Sequence, residues 1–412
     1  MGTSFTAAAV LFAALLQTDG TGRLSGYQEE LKYQQDAFRQ WWEIDLETRL
    51  AELPLAGAVP DFRVPYSGHD YPDRGGGTID ALRKYDAAFH NGRYVATEWE
   101  RQDVGGHRGM LRGEPVGLFA RIAAARAARR TPGWYGHCNG WTAAAIRHAE
   151  PQRSVVKNGV VFTPADIKGL LAEIYMYSQT EFLGGNDAVI HPAILHLSLT
   201  NWLGRGGHPV GVETAVGEVV VNYPIHAYKS VVRKIDDRQS EVRMTVTYAM
   251  NSNHEADKST PMHRSLTFHY VLDVDSEGRI QGGRYYNDTA YVDMLWVPRQ
   301  PVPGGKPGNE RGCPHVDIKE VLAIWRASVP EDVRAKWLNV DPTDEDRVLP
   351  AGTPDAAPDS TPPASTPPAS TPPASTPPAS TPPASTPPAS TPPASTPPAG
   401  SGEQGAGVTN NP

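Results

Sequence analysis

The sequence predicts an α+β protein: helices first, with a cysteine at the start of one of them, then an antiparallel sheet, then a disordered Pro-rich tail. Three observations predict it. Up to Gly204 apolar residues recur at helical spacing between capping signals. Beyond Gly204 they alternate, in "HPVGVETAVGEVVVNYPIHAY", "EVRMTVTYAM" and "SLTFHYVLDVDSEGRIQGGRYY", with tight Gly- or Asp-containing turns. From Thr361 to about Ala399 the unit TPPAS repeats every five residues. Helices and strands that are segregated along the chain, rather than alternating, give α+β architecture.

The elements follow in order. Thr6 to Leu16 is apolar, too short to cross a bilayer as a helix and of signal-peptide length, although no Lys or Arg precedes it. Residues 1–20 are therefore read as a signal peptide or a short N-terminal helix. A helical region is expected over 21–130. It contains "GYQEELKYQQDAFRQWWEIDLETRLAEL", with Leu31, Phe38, Trp41, Trp42 and Leu46 near one stripe. "TIDALRKYDAAFHNG" follows, with Thr78 as N-cap and Gly92 as stop, and then "EPVGLFARIAAARAARR", whose arginines read as a solvated face. Residues 131–345 are expected to carry the chemistry. Here "TPADIKGLLAEIYMYS" has Thr163 capping and Pro164 at the first helical position. "HPAILHLSLTNWLG" fits either a helix from Pro192 or an alternating strand. Residues 350–412 form the tail, whose prolines fix φ and remove donors, giving a solvated polyproline-II rod. Its Ser and Thr suit an O-glycosylated stalk or an unmodified linker.

Composition narrows the function. With the tail set aside, about 350 residues remain, enough for one large domain or two modest ones. A net charge of −8 offers no basic footprint, so nucleic acid is not an expected partner, and no run is long enough for a transmembrane segment. Only Cys138 and Cys313 occur, so neither a disulfide framework nor a CxxC zinc site is available. The leader and stalk point to a secreted or cell-surface protein, with a cytoplasmic one as the alternative.

Cys138 lies in "GWYGHCNGWTAAAI", where Pro132, Gly133 and Gly136 disfavour helix and "WTAAAIRHA" favours it. A cysteine at a helix N-terminus meets unpaired N–H groups and the positive end of the dipole, which stabilise a thiolate and can hold an oxyanion. Papain-like peptidases and transglutaminases both put their nucleophile there. His137 is adjacent in sequence and points elsewhere on the turn, so a base is expected from a distant segment.

"WYGHCNGWTAAAI", "FTPADIKGLLAEIY", "HPAILHLSLTNWLG", "VVVNYP" and "GGRYYNDTAYVDMLWVP" stand in one order between Gly133 and Pro298. In that order they resemble the transglutaminase elicitor family, secreted oomycete transglutaminases with bacterial relatives. The resemblance implies a papain-like, transglutaminase-like core. The implied activity is calcium-dependent, joining glutamine side chains of protein substrates to lysine side chains or small amines. It matches Cys138 to the nucleophile, Trp141 to its neighbouring tryptophan and His196 to a histidine in "HLSLTN". It sets Glu213 where relatives tend to carry Asp. A Cys138, His196, Glu213 triad is the expectation. If "HPAILHLSLTN" is a helix whose histidine faces away, His208 or His226 takes the place of His196. Relatives often read His-Pro-Asp-Phe-Leu-Trp where this chain has "YVDMLW", so Tyr291 replaces a histidine.

No cofactor is required by the residues themselves. "DVDSEGRIQGGR" imitates the start of a calcium loop, but Arg284 stands at its last position and its flanks read as strands, so it is a hairpin turn. Two rivals share these residues: a cysteine peptidase or amidase, and a non-catalytic surface-binding module in which Cys138 pairs with Cys313.

Overall fold

The computed structural model describes residues 20–104, 132–185, 189–215, 219–252, 257–305, 309 and 311–340, with backbone alone for 20–26 and 338–340. The apolar N-terminal run, the "EPVGLFARIAAARAARR" segment and the TPPAS tail lie outside them.

The sheet organises the described residues. Strands β1 (Ala56–Ala58), β4 (Ser178–Gly184), β5 (Val210–Glu213), β6 (Asn222–Lys234), β7 (Gln239–Ala249), β8 (His263–Val274), β9 (Ile280–Tyr285) and β10 (Leu295–Pro301) form one antiparallel sheet. Its order is β4-β10-β5-β6-β7-β8-β9, with β1 also paired to β6. β2 (Val155–Lys157) and β3 (Val160–Phe162) make a separate hairpin.

Side-chain alternation feeds two cores. On one face Val210, Val212, Val242, Met244, Val246, Leu295 and Val297 pack against helix α1 (Gly20–Trp42) and the buried helix α6 (Pro192–Ser198). Trp296, between Leu295 and Val297, joins the other core. That core is built by α2 (Ile79–Phe89), α4 (Cys138–Arg147), α5 (Pro164–Ile174) and α7 (Ile318–Ser328). Helices α3 (Val95–Val104) and α8 (Glu331–Val340) flank it.

The first helix is shorter than its sequence stripe suggests. Glu43 turns to φ 57°, the left-handed region that ends helices, while Leu46 beyond it still enters the core. α5 begins as its sequence reads, with Thr163 and Asp166 closing a capping box. Thr78 precedes α2 but makes no side-chain cap; its hydroxyl donates instead to Glu173 Oε2 at 2.7 Å. The ambiguous "HPAILHLSLTNWLG" is helical: α6 continues as a π-helical turn over Leu199–Arg205. "DVDSEGRIQGGR" is the β8–β9 hairpin turn, where Asp275 Oδ1 accepts from the amides of Glu277 and Arg279.

Candidate active site

Helix α4 starts at Cys138, with His137 as its N-cap residue and the His137 carbonyl accepting the Trp141 amide at 2.8 Å. The His137 amide donates to Asp70 O at 2.7 Å, fixing the chain as it enters the helix. Trp141 is buried, and its indole N–H donates to Tyr66 O.

A cavity of about 630 Å³ opens beside Cys138, walled on the sheet side by Glu213, Asn222, Met294 and Trp296. The Cys138 thiol faces Val220 O at 3.7 Å, and Asn222 Nδ2 lies 3.9 Å from Sγ. The orientation of that amide is fixed by its other end: Trp296 Nε1 donates to Asn222 Oδ1 at 2.8 Å, so the NH₂ group must face the sulfur. Gly211 makes this possible. It pairs with Trp296, and a Cβ there would stand 2.5 Å from the indole, so only glycine lets the ring lie over β5 and reach β6. Glu213 pairs directly with Asn222 across β5 and β6, and opposed residues in an antiparallel pair share a face. On the far side of the cavity Arg311 bridges Asp73 at 2.9 Å and Asp103 at 2.7 Å.

Burial pushes the Cys138 thiol above its ordinary range. The Asn222 amides and the Asn139 backbone N–H pull the other way without winning. The helix end was expected to lower this value; loss of water around an 8% exposed thiol outweighs it.

The sequence-predicted triad is only partly assembled. Cys138 and Glu213 line one cavity. His196 does not reach it: α6 is buried on all sides, His196 Nδ1 bonds Tyr270 OH at 2.8 Å, and burial alone pulls its pKa down to about 3. Assigning the base to His196 is therefore corrected by the helix, whose face carries the imidazole into the apolar core. The substitutes fare no better. His208 packs edge-on against Trp41, and His226 bonds His263 at 3.0 Å. Among the described residues no histidine lines the cavity. Nor is there a bridge: both cysteines are free, with Cys313 Sγ toward Ala96 O. Asn222 and Trp296 are what the sequence reading missed. Asn222 reads as a turn former before Tyr223 and Pro224; the available signal was a lone amide interrupting the apolar run "VVVNYP".

Behind the cysteine, His137 turns away into a buried cluster. Its Nε2 lies 3.1 Å from Glu173 Oε2 and 3.7 Å from Glu100 Oε1. Burial opposes the His137 charge, yet the charge of Glu100 and the Glu173 hydrogen bond raise its pKa to about 9. Burial holds the Glu100 carboxyl above its usual range, against the pull of the His137 charge and with the help of Glu173.

The chain aligns with the crystal structure of the GP42 transglutaminase from Phytophthora sojae at a TM-score of 0.56 and 19% identity, covering 73% of this chain and 97% of that one. No curated protein matches. The fold is therefore transglutaminase-like, with Cys138 at the start of a helix. The model of the transglutaminase elicitor family matches residues 117–185, the segment that carries Cys138.

Proposed function

We propose that the protein transfers the acyl group of glutamine side chains to primary amines through a thioester on Cys138. The observation that carries this reading is the donor pair at the sulfur: an amide locked by the Trp296 indole with its N–H side toward Sγ, at the start of a helix. In the proposed reaction the thiol proton passes to Glu213, directly or through one water, and the sulfur attacks the carboxamide carbon. Asn222 Nδ2 and the N-terminal amides of α4 hold the developing oxyanion. Glu213 returns the proton to the leaving nitrogen, ammonia departs, and an amine resolves the thioester. Water in its place gives deamidation. Burial favours the neutral thiol at rest, so deprotonation belongs to the attack itself.

Calcium does not fit the described residues, and no step is routed through it. The carboxylates of the β8–β9 turn are already committed, Asp273 to Gln239 and Asp275 to the turn amides and Gln281. The one cluster of three liganding groups among the described residues contains an imidazole and is closed to solvent, unlike an all-oxygen calcium site. Export to the cell surface is proposed with this activity, on the strength of the leader-like run and the Ser/Thr-Pro stalk. Among the described residues no helix is long and apolar enough to cross a membrane.

The test is incorporation of a fluorescent primary amine into a glutamine-rich protein, with and without calcium and reductant, by wild type and Cys138→Ala. Incorporation that disappears in the variant supports transfer. Cys138-dependent ammonia release or peptide cleavage without incorporation replaces it with a hydrolase, and silence in every assay favours a binding module.

A further inference from the structure

The cluster behind Cys138 has a donor set that the acyl-transfer reading does not use. Glu100 comes from α3, Glu173 from the last turn of α5, and His137 is the N-cap residue of α4. All three are 0–1% exposed, and one donor atom from each lies within 4.8 Å of the others.

From this arrangement we propose that Glu100, His137 and Glu173 bind one divalent first-row ion of the zinc class, clamping the N-terminus of the cysteine helix to α3 and α5. Four observations carry it. First, the donors are one imidazole nitrogen and two carboxylate oxygens, a set that suits Zn²⁺ and its neighbours and not the all-oxygen preference of calcium. Second, the spacing fits: tetrahedral bonds of about 2.1 Å separate neighbouring donors by roughly 3.4 Å. The observed separations from His137 Nε2, 3.1 and 3.7 Å, bracket that value.

Third, the carboxylates are oriented from outside. Thr78 N donates to Glu100 Oε1 at 2.9 Å, Thr78 Oγ1 to Glu173 Oε2 at 2.7 Å and Cys313 N to Glu173 Oε1 at 2.9 Å. Outer hydrogen bonds of this kind hold metal-ligating carboxylates in place. They also explain why Thr78 abandons its cap. The backbone closes tightly here, because Gly77, at φ +57°, passes so near Glu100 Oε1 that no Cβ could be accommodated. Fourth, the cluster is not closed by its own hydrogen bonds. Glu100 Oε2 and His137 Nδ1 are buried with no hydrogen-bond partner among the described residues. Buried polar atoms in that state are costly.

The inference is independent of the acyl-transfer reading, and its test reads metal rather than catalysis. The full chain is prepared as Cys138→Ala, which removes the cavity-lining thiol as a competing ligand. It is loaded in turn with Zn²⁺, Mn²⁺ and Fe²⁺, and its metal content and melting temperature are measured with and without a chelator. The expected result is about one equivalent of ion per chain for at least one metal. Its melting temperature should rise by several degrees in excess metal and fall back with chelator. Co²⁺ loading should give a visible d–d spectrum of mixed nitrogen and oxygen donors. Adding Glu100→Gln, which keeps an acceptor for Thr78 N, should abolish both uptake and the thermal response. Two outcomes overturn the proposal. One is a chain that takes up less than about a tenth of an equivalent of every ion and melts unchanged, in which case the cluster holds protons only. The other is a Glu100→Gln protein that binds as well as its parent, which would put any ion elsewhere. If Glu100→Gln fails to fold, the stoichiometry and chelator response of the parent decide alone.

Discussion

Two buried histidines, His137 and His196, show how little residue type says about chemistry. Both are 1% exposed, and both stand on or beside buried helices. His137 faces two carboxylates, and its pKa is raised to about 9; His196 faces a tyrosine hydroxyl in an apolar core, and its pKa falls to about 3. The imidazole next to the cysteine is a clamp rather than a base, and the one in the family motif is a core residue. The cavity beside Cys138, which His196 was expected to serve, is walled instead by an amide, an indole and a carboxylate.

The largest expected effect lies on the His137 side. His137→Leu leaves Glu173 buried without its ion-pair partner, and breaking a buried pair in this way costs about 3–5 kcal/mol. Denaturant unfolding of the two proteins measures it. A loss below 1 kcal/mol would mean that the cluster is no more than a surface-grade ion pair and that the contrast between the two histidines is overstated.

Next comes the amide that faces the sulfur. Asn222→Ala should lower amine incorporation about 10²–10³-fold, the usual effect of losing one oxyanion donor. The fold should survive, because the variant leaves β6 paired on both sides. Trp296→Phe, which frees the amide to rotate by removing its indole partner, should cost a smaller factor of about 10. If Trp296→Phe hurts as much as Asn222→Ala, the indole contacts substrate directly.

What could be read from the sequence divides along the same line. The cysteine's place at a helix start was legible because Pro132, Gly133 and Gly136 end one conformation and "WTAAAI" begins another, a purely local signal. The hairpin in "DVDSEGRIQGGR" and the Thr163 cap were legible for the same reason. Of the residues around Cys138, Glu213 was named through the family resemblance, but Asn222 and Trp296 were not legible. Asn222 reaches Sγ only because β5 and β6 pair with Glu213 opposite Asn222, and Trp296 reaches Asn222 only because Gly211 lies beneath it. Register of that kind is set by long-range pairing, which no local pattern encodes. His196 misled because "AILHLSL" fits strand and helix alike, and the choice between them decides whether its imidazole faces the site or the core.

The two histidines should also differ in acid. His196 has a folded pKa well below the ordinary 6.5, so below pH 6.5 the unfolded chain binds a proton that the folded chain refuses. Its contribution is intact above pH 6.5 and is lost as pH falls toward about 3, at up to about 1.4 kcal/mol per pH unit. By pH 5 that is a loss of about 2 kcal/mol from this residue.

His196→Leu tests this with the smallest effect at neutral pH. Leucine has a similar volume and suits the surroundings of α6, and it removes a ring nitrogen, Nε2, that has no hydrogen-bond partner among the described residues. Tyr270 OH loses its short partner and keeps only the long contact to Met244 Sδ at 3.9 Å, so the net change at pH 7 should stay within about 1 kcal/mol. Two readouts then separate core residue from base. Acid unfolding midpoints should shift downward, because the group that titrates on unfolding is gone. Amine incorporation should stay within about twofold of wild type, since each tenfold in rate requires about 1.4 kcal/mol of lost transition-state stabilisation and the side chain touches nothing in the cavity. A hundredfold fall in incorporation by a stably folded His196→Leu protein would return the imidazole to the reaction and require α6 to rearrange in the working enzyme.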